Sequence, residues 1–436
     1  MSLPWVSVWA AGVGLGAGAT VLVSGLGVLG ASFLLAWAAE TAEKDVPRAF
    51  AIAVLAVLAV APEYAVDALY AWTAGAKGAT EAVCDPGGVA HAGCQAANLA
   101  VANMTGANRI LIGIGWASVA IFTLLRARRT DDPAVQQREG WLATAVTLDR
   151  EIATEVAFLF LATGWAFFVP LRGGIDVLDS AILVGLYVLY IGIVVRGDVE
   201  ATDEHIGVPA YLQDFETKVR VPTVVGLFAY AGFLIFIAVE PFAHGLEHIG
   251  TAIGVPPFFM IQWIAPLASE SPELVVVTVL VYKSRSTAAF NALISSKLNQ
   301  WTLLIGTLAV VYSIALGQIG TLPFDRIQAA EIWITAAQSF FALTLIVDFS
   351  ISIREAVALF VLFITQVLLE FVFLKIWQPF PEPKFALLLS YTAIYLVGGV
   401  ALLVHRREQF RELVELATFT VRKAAGRQPT KPGHAD

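Results

Sequence analysis

The segments 56–69, AVLAVAPEYAVDAL, and 263–280, WIAPLASESPELVVVTVL, decide the fold. Each places a proline, followed at once by Glu63 or Glu273, inside a strongly apolar stretch. Proline removes a backbone hydrogen-bond donor and glutamate is costly in hydrocarbon, so a membrane span tolerates the pair only where it lines a polar cavity. The two pairs therefore predict one ion site that is built twice.

The composition is that of a polytopic membrane protein. Hydrophobic residues make up 58% of the chain, charged residues 14%, and the mean hydropathy is +0.75. The N-terminus lacks a basic signal region and its apolar run continues to Trp37, so we expect a first span rather than a cleaved leader. The net charge of −8 and the lack of basic segments with interleaved aromatic residues argue against nucleic acid as a partner.

Apolar runs long enough to cross a bilayer predict an all-α protein with eleven spans. Their predicted bounds are 8–38, 47–74, 97–123, 152–171, 177–195, 222–244, 257–281, 288–314, 330–347, 355–375 and 386–404. Basic residues follow the third, fifth and seventh spans, namely Arg126, Arg128, Arg129, Arg138, Arg196, Lys218, Arg220, Lys283 and Arg285. Because basic loops stay in the cytoplasm, we predict a multi-pass protein of the cell membrane with its N-terminus outside and its C-terminus inside.

An internal repeat appears when the two Pro-Glu pairs are superposed. The shift of 210 positions that aligns Glu63 with Glu273 also aligns Pro47 with Pro257, although Arg48 then meets Phe258. Further along, after a change of offset, two segments align: Asp149, Arg150 and Glu155 with Asp325, Arg326 and Glu331. Five spans per copy is an odd number, so the copies enter the membrane from opposite sides, as in many secondary transporters.

This repeat predicts the domain organisation. Residues 1–196 form the first five-helix repeat, 197–220 a short cytoplasmic loop, 221–375 the second, inverted repeat, 376–405 an extra transmembrane helix, and 406–436 a cytoplasmic amphipathic and disordered tail.

At this point the sequence resembles the cation/calcium antiporters, which include sodium/calcium and calcium/proton exchangers. Members carry a Thr-Ser-x-Pro-Glu turn in each repeat, followed by Gly-Ser-Asn on the next helix. The segments 98–113, NLAVANMTGANRILIG, and 247–274, EHIGTAIGVPPFFMIQWIAPLASESPEL, are similar to that pattern. The resemblance implies a sodium/calcium exchanger-like fold of two inverted repeats and a transporter rather than an enzyme.

Carried over to this chain, the resemblance makes Glu63 and Glu273 the central cation-binding carboxylates. Around them it implies amide and hydroxyl ligands: Asn103, Asn108, Ser269, Ser296 and Gln300. The chain departs from the family where Ala59 and Val60 stand for the usual Thr and Ser. Gln300 occupies a position that is acidic in many sodium-coupled members, which places a sodium-driven cycle in doubt.

Further charges surround the predicted site. Asp67 lies one turn after Glu63 and Glu270 one turn before Glu273, so both belong with the metal ligands. Arg109 and Lys297 follow on the next helices, and we expect them to compensate two of the four carboxylates, leaving a charge of about −2. In the alternative, both basic side chains extend to an interface and never meet the carboxylates.

The expected function is secondary cation antiport by alternating access, with Ca²⁺ exchanged for H⁺ or Na⁺. Ca²⁺ prefers several oxygen ligands, and a carboxylate held away from water also accepts protons near neutral pH. A monovalent sodium/proton antiporter remains the alternative within transport. The expected partners are inorganic cations and the lipid bilayer, no cofactor is expected, and the oligomeric state stays open.

One motif favours a different class of protein. His244, Glu247 and His248 match the His-x-x-Glu-His pattern, in which two histidines bind zinc and a glutamate acts as base. A membrane zinc hydrolase is therefore a competing hypothesis, and an entry vestibule for cations is a third use of the same three residues. Elsewhere, Cys84 and Cys94 share a loop predicted to lie outside, where a disulfide and two free thiols both remain open.

The aligned acidic and basic residues at the starts of the fourth and ninth spans have a simpler interpretation. We expect Asp149, Arg150 and Glu155, like Asp325, Arg326 and Glu331, to cap and anchor these helices at the membrane interfaces.

Overall fold

A computed structural model describes residues 1–42, 44–45, 61–84, 91–127, 132–139, 142–196, 207–376 and 381–426. The helices before the middle of the chain are α1 Leu3–Ala10, α2 Ala17–Ala42, α3 Ala61–Ala76, α4 Glu81–Cys84, α5 Ala92–Arg126, α6 Ala153–Ala166, α7 Val177–Arg196 and α8 Val208–Gln213. Those that follow are α9 Thr217–Ala252, α10 Pro257–Tyr282, α11 Ser286–Leu316, α12 Arg326–Leu345, α13 Ile353–Ile376, α14 Pro381–His405 and α15 Arg407–Ala424. Five short strands connect them: β1 Val135–Gln136, β2 Ala145–Thr147, β3 Gly174–Ile175, β4 Leu322–Pro323 and β5 Ser350–Ser352.

The predicted helical membrane architecture is confirmed. Within the described ranges, eight helices are long and apolar enough to cross a bilayer, and α10, which bends by 51° between its parts 257–271 and 273–282, makes a ninth. The other two predicted spans are also helical where described. The second is represented by α3, because 46–60 lie outside the described residues, and the ninth by α12, which carries many buried polar side chains.

Several helix boundaries differ from the predictions. In place of one first span over 8–38, the structure has α1, which ends at Ala10, and α2, which begins at Ala17. Two other helices extend beyond their predicted apolar runs. Helix α9 begins at Thr217, inside the predicted loop 197–220, and continues to Ala252. Helix α5 likewise extends beyond its predicted span in both directions. Polar residues occupy the ends of both helices, so the apolar run is shorter than the helix. The helical backbone hydrogen bonds continue beyond the hydrocarbon region.

The bundle has a centre and a flanking helix pair. Helices α3, α5, α10 and α11 pack against one another at the centre, while α2 and α9 lie side by side along their lengths. An ion pair at the end of this long pair joins Arg220 to Asp45 at 2.5 Å. On the far side of the centre, α12 packs against α14.

The short strands form two small sheets, one at each end of the bundle. At one end β2 pairs antiparallel with both β1 and β5, with Val146 opposite Val135 and Ile351. At the other end β3 pairs antiparallel with β4, with Ile175 opposite Leu322. A shift of 176 positions relates β2 to β4 and β3 to β5, so each half of the chain contributes a strand to both ends. This exchange is consistent with the predicted inverted repeat.

The two ends differ in chemistry. The end with the three-stranded sheet, here called the basic end, carries Arg126, Arg138 and Arg285. The other end, here called the disulfide end, carries the bond between Cys84 and Cys94. That bond decides the question that the sequence left open. Helix α4, which contains Cys84, contacts β4 and so belongs to the same end as the two-stranded sheet.

The amphipathic helix predicted in the tail is present as α15. It packs on α6 and α7, burying Leu413 and Ala417, and Arg150 pairs with Glu412 at 2.5 Å. The predicted disordered end, 427–436, lies outside the described residues.

Candidate functional site

Helix α3 contributes two carboxylates to the centre of the bundle. Glu63 lies in the first turn of the helix and Asp67 one turn later, and both side chains are buried. The Asn103 amide of α5 donates a hydrogen bond of 2.9 Å to Asp67 Oδ1. The first turn of a helix favours a negative charge, because its free N–H groups point towards it.

Helix α10 contributes the second pair of carboxylates at its bend. Pro272, which cannot donate a backbone hydrogen bond, lies between the two straight parts of this helix. Two side chains of α11 hold the carboxylates beside it: Ser296 Oγ donates to Glu273 Oε2 at 3.0 Å, and Gln300 Nε2 donates to Glu270 Oε1 at 2.5 Å. Glu270 and Gln300 are buried, with exposed fractions of 1% and 0%.

Carboxylates of the two helices act on one another electrostatically. Glu63 interacts electrostatically with Glu273 and with Asp67, and Glu270 interacts with both Glu63 and Glu273. The Ser269 hydroxyl donates to the Ala265 and Pro266 carbonyls of its own helix at 3.4 and 3.3 Å. Helices α3 and α10 therefore bring Glu63, Glu270 and Glu273 within electrostatic range of one another, with Asp67 acting on Glu63 from the next turn of α3.

Several oxygen atoms at this place accept no hydrogen bond from the described residues. They are Asp67 Oδ2, Asn103 Oδ1 and Gln300 Oε1, each of them buried. Buried polar atoms normally find partners, so an orphaned group of oxygens is typical of a site for a hard cation. His, Cys, Asp and Glu alone do not make a metal-holding group of three or more within the described ranges, so amide and hydroxyl oxygens would have to complete it.

A glycine contact keeps two of the central helices close. A Cβ atom at Gly106 of α5 would lie 1.7 Å from the Gln262 carbonyl oxygen of α10, which no side chain can accommodate.

Both α5 and α11 contain a π-helical turn, at Leu111–Trp116 and Gln300–Leu304. The two turns begin three residues after Asn108 and three residues after Lys297, and such turns are frequent at functional sites.

Lys297 lies at the predicted site, but Arg109 does not join it there. The Lys297 ammonium donates to Asn108 Oδ1 at 2.8 Å and to the Asn108 carbonyl at 3.2 Å, and it interacts with Glu270. Arg109 instead forms an ion pair with Glu331 at 2.7 Å and donates to the Gln366 amide oxygen. The expectation that Arg109 compensates the four carboxylates is therefore corrected: a different carboxylate neutralises it.

Arg109 belongs to a second buried group of charges, here called the lateral cluster: Arg109, Glu331, Glu370 and Lys384. Lys384 of α14 lies 3.2 Å from Glu331 and 2.9 Å from Glu370. The amides of Gln262 and Gln366 donate to Glu331 and Glu370 at 2.9 and 2.8 Å. Two positive and two negative side chains thus join the central helices to α12, α13 and α14.

Because Glu331 belongs to the lateral cluster, the expectation that it anchors a helix at the membrane interface is wrong. Its side chain is fully buried among charges from three other helices. The cap of α12 is Asp325, whose Oδ1 accepts hydrogen bonds from the Ile327 and Gln328 backbones. Sequence reasoning found neither Lys384 nor Glu370. A signal was available, since an ionisable residue within an apolar run by default needs a partner.

The residues of the His-x-x-Glu-His pattern are not arranged to bind zinc. His244 and His248 are exposed, and no metal-holding group includes them in the described part of the chain. Glu247 accepts a hydrogen bond of 2.6 Å from the Tyr70 hydroxyl, and its Oε1 lies 3.5 Å from His244 Nδ1. The geometry does not support the zinc hydrolase hypothesis.

Comparison with known proteins agrees with this geometry. The family described as sodium/calcium exchanger protein matches residues 16–196 and 223–372. No protein of curated function matches the sequence significantly. The crystal structure of the H⁺/Ca²⁺ exchanger CAX is 42% identical, with a TM-score of 0.82, over 97% of this chain and 96% of that one.

One structure of lower identity shares the fold, and another aligns with a lower TM-score. The structure of native YfkE is 12% identical, with a TM-score of 0.55, over 84% of this chain and 96% of that one. A structure of the sodium-calcium exchanger NCX_Mj is 15% identical, with a TM-score of 0.48, over 81% and 97% of the two chains.

Proposed function

This chain belongs to the sodium/calcium exchanger family, and from that premise we propose that it is a secondary antiporter that exchanges Ca²⁺ for H⁺. Family membership makes it an ion-exchanging transporter of the membrane. The choice of H⁺ is supported by its 42% identity with an H⁺/Ca²⁺ exchanger. Gln300, which carries no charge where sodium-coupled members are often acidic, also favours H⁺ over Na⁺.

The observation that carries this proposal is the electrostatic interaction of Glu63 with Glu270 and Glu273, which lie on either side of the bend of α10, and with Asp67 on its own helix. Ca²⁺ takes six to eight oxygen ligands, and the carboxylates, with the orphaned oxygens of Asn103 and Gln300, offer such a set. Of the remaining predicted ligands, Asn108 and Ser296 contact Lys297 and Glu273, and Ser269 interacts with Glu63, so all three belong to the same region.

The charge of the site fits an exchange of one divalent ion for protons. Four carboxylates and the single ammonium of Lys297 give about −3, because Arg109 is neutralised in the lateral cluster. Binding one Ca²⁺ or two protons changes that charge by the same amount. Ca²⁺ and the two protons therefore compete for the same carboxylates, and this competition is the condition for antiport.

Alternating access would use the long pair α2 and α9 as the moving part. The two helices pack along their lengths, and the ion pair between Asp45 and Arg220 ties their ends, so they would move as one body across α3, α5, α10 and α11. A basic end in the cytoplasm puts the N-terminus outside and the C-terminus inside. Labelling single cysteines introduced at exposed loop positions, in intact cells and in lysed cells, tests this orientation.

Transport by reconstituted protein tests the function. Proteoliposomes with an acidic interior should take up labelled Ca²⁺, and a sodium gradient in a parallel sample tests the sodium-coupled alternative. We expect Glu63→Gln and Glu273→Gln to abolish uptake, whereas Glu408→Gln, at an exposed carboxylate of α15, should leave it unchanged. Wild-type vesicles that move no Ca²⁺ under either gradient would refute the proposal.

A further inference from the structure

Two carboxylates at equivalent positions of the repeat stand in different electrostatic surroundings. The shift of 176 positions that relates the exchanged strands also places Glu155 of α6 on Glu331 of α12, and Tyr190 of α7 on Gln366 of α13. Glu155 lies just after β2 at the basic end, and Glu331 just after β4 at the disulfide end. The pair thus allows one carboxylate to be compared at the two faces of the protein.

At the disulfide end the carboxylate is neutralised. Glu331 pairs with Arg109 and Lys384 and accepts a hydrogen bond from Gln262, and its side chain is fully buried. A carboxylate that is held by two cations in the protein interior keeps its negative charge and has little tendency to take up a proton.

At the basic end no cation of the described residues pairs with the equivalent carboxylate. Glu155 Oε1 accepts a hydrogen bond of 2.9 Å from the Tyr190 hydroxyl, while its buried Oε2 accepts none from the described residues. The charged side chains that act on it are the acids Asp149 and Glu151. The nearby Arg150 is engaged by Glu412. An uncompensated carboxylate among apolar side chains exchanges a proton more readily than a paired one.

The Tyr190 hydroxyl leads from this carboxylate towards α11, the helix whose Ser296 donates to Glu273. The Tyr190 phenol is 7% exposed and contacts the hydroxyl of Ser295 on α11. Ser295 is itself exposed, and the next residue, Ser296, donates to Glu273. Tyr190 therefore links Glu155 to Ser295, the sequence neighbour of the residue that donates to Glu273.

We propose that Glu155 is a proton relay residue, which carries protons between the ion site and the basic end by way of Tyr190 and Ser295. The inference rests on the proposed Ca²⁺/H⁺ exchange. A proton reaching Ser295 from the ion site is passed on as Ser295 gives its own proton to Tyr190 and Tyr190 gives its own to Glu155. The hydroxyls are neutral before and after, Glu155 becomes the neutral acid, and it then releases the proton at the basic end.

Two transport modes of one reconstituted sample separate proton delivery from movement of the cation. Exchange of external labelled Ca²⁺ for internal unlabelled Ca²⁺ needs no proton, whereas uptake driven by an acidic interior does. For Glu155→Gln we expect proton-driven uptake to fall about tenfold or more, with Ca²⁺/Ca²⁺ exchange at about the wild-type rate. Tyr190→Phe, which keeps the ring and removes the hydroxyl, should give the same split.

The controls are an exposed carboxylate on another helix and a conservative change at the same position. Glu408→Gln changes an exposed carboxylate of α15 and should alter neither mode, and Glu155→Asp should recover part of the proton-driven uptake. Equal losses in both modes for Glu155→Gln, or unchanged rates in both, would overturn the relay. Failure of the proposed exchange itself would look different, because wild-type protein would then take up no Ca²⁺ under a pH gradient.

Discussion

Removing Lys384 from the lateral cluster should destabilise the protein strongly, and removing a carboxylate as well should restore much of the loss. Lys384→Met takes away a cation whose side chain is 6% exposed and leaves Glu331 and Glu370 with Arg109 alone. Breaking a buried ion pair at one partner leaves a charge without compensation in the protein interior. The double variant Lys384→Met/Glu370→Gln removes one charge of each sign and stays neutral.

The distances set the size of the expected effect. At 3.2 and 2.9 Å, and at an effective dielectric constant of about 20, the two attractions of Lys384 are about 5 and about 6 kcal/mol. The cost of burying the ammonium offsets much of this, so we expect Lys384→Met to lower the free energy of unfolding by about 3–5 kcal/mol. The double variant should recover about 2–3 kcal/mol of that, because neighbouring sites couple by such amounts.

Unfolding of the detergent-solubilised protein, followed by tryptophan fluorescence, measures this difference. Wild type, Lys384→Met, Glu370→Gln and the double variant are heated at one scan rate, because the unfolding midpoint of a large membrane protein depends on the rate of heating. The expected order of midpoints is wild type, then the double variant, then Lys384→Met. A double variant no more stable than Lys384→Met would refute the view that charge balance holds the lateral cluster together.

Two further predictions concern the central contact and the long helix pair. Gly106→Ala should abolish transport, because its methyl group would meet the Gln262 carbonyl, whereas Gly164→Ala, where no atom lies within 4 Å, should transport normally. Equal activity of the two variants would contradict this packing. The hydrogen bond from Arg220 lowers the pKa of Asp45 below its ordinary value of 3.8, so this contact stabilises the protein above that pH and is lost as the pH falls through the lowered pKa. Asp45→Asn should therefore lower the unfolding midpoint at pH 7 and bring no further loss in acid, and a midpoint equal to wild type at pH 7 would count against it.

The sequence predicts well those features that would carry a large free-energy cost if they were exposed to lipid. Glu63 and Glu273 within apolar runs have few uses in a membrane, and the helical exchanger-like fold inferred from them is confirmed by the family match and by the structure. Partners far apart in the chain were not predictable in this way. Arg109 lies 222 positions from Glu331, and nothing local indicates which of several carboxylates a buried guanidinium will meet.

Two other features escaped the sequence for different reasons. The strands are only two or three residues long, too short for any alternation of side chains to mark them. Glu331 follows an Asp-Arg pair typical of a helix start, so local capping concealed its role in the interior. The disulfide depends on whether two thiols approach in space, which the loop sequence leaves undecided.

The exchanged strands have a consequence for how such a protein could arise. A single repeat standing alone would present β2 at one membrane face and β3 at the other, each with an open edge whose complement the same chain does not supply. A second copy inserted upside down would supply both complements at once, since β2 corresponds to β4 and β3 to β5. The two small sheets therefore fasten each half of the chain to the other at both membrane faces, as two antiparallel copies of one repeat would pair.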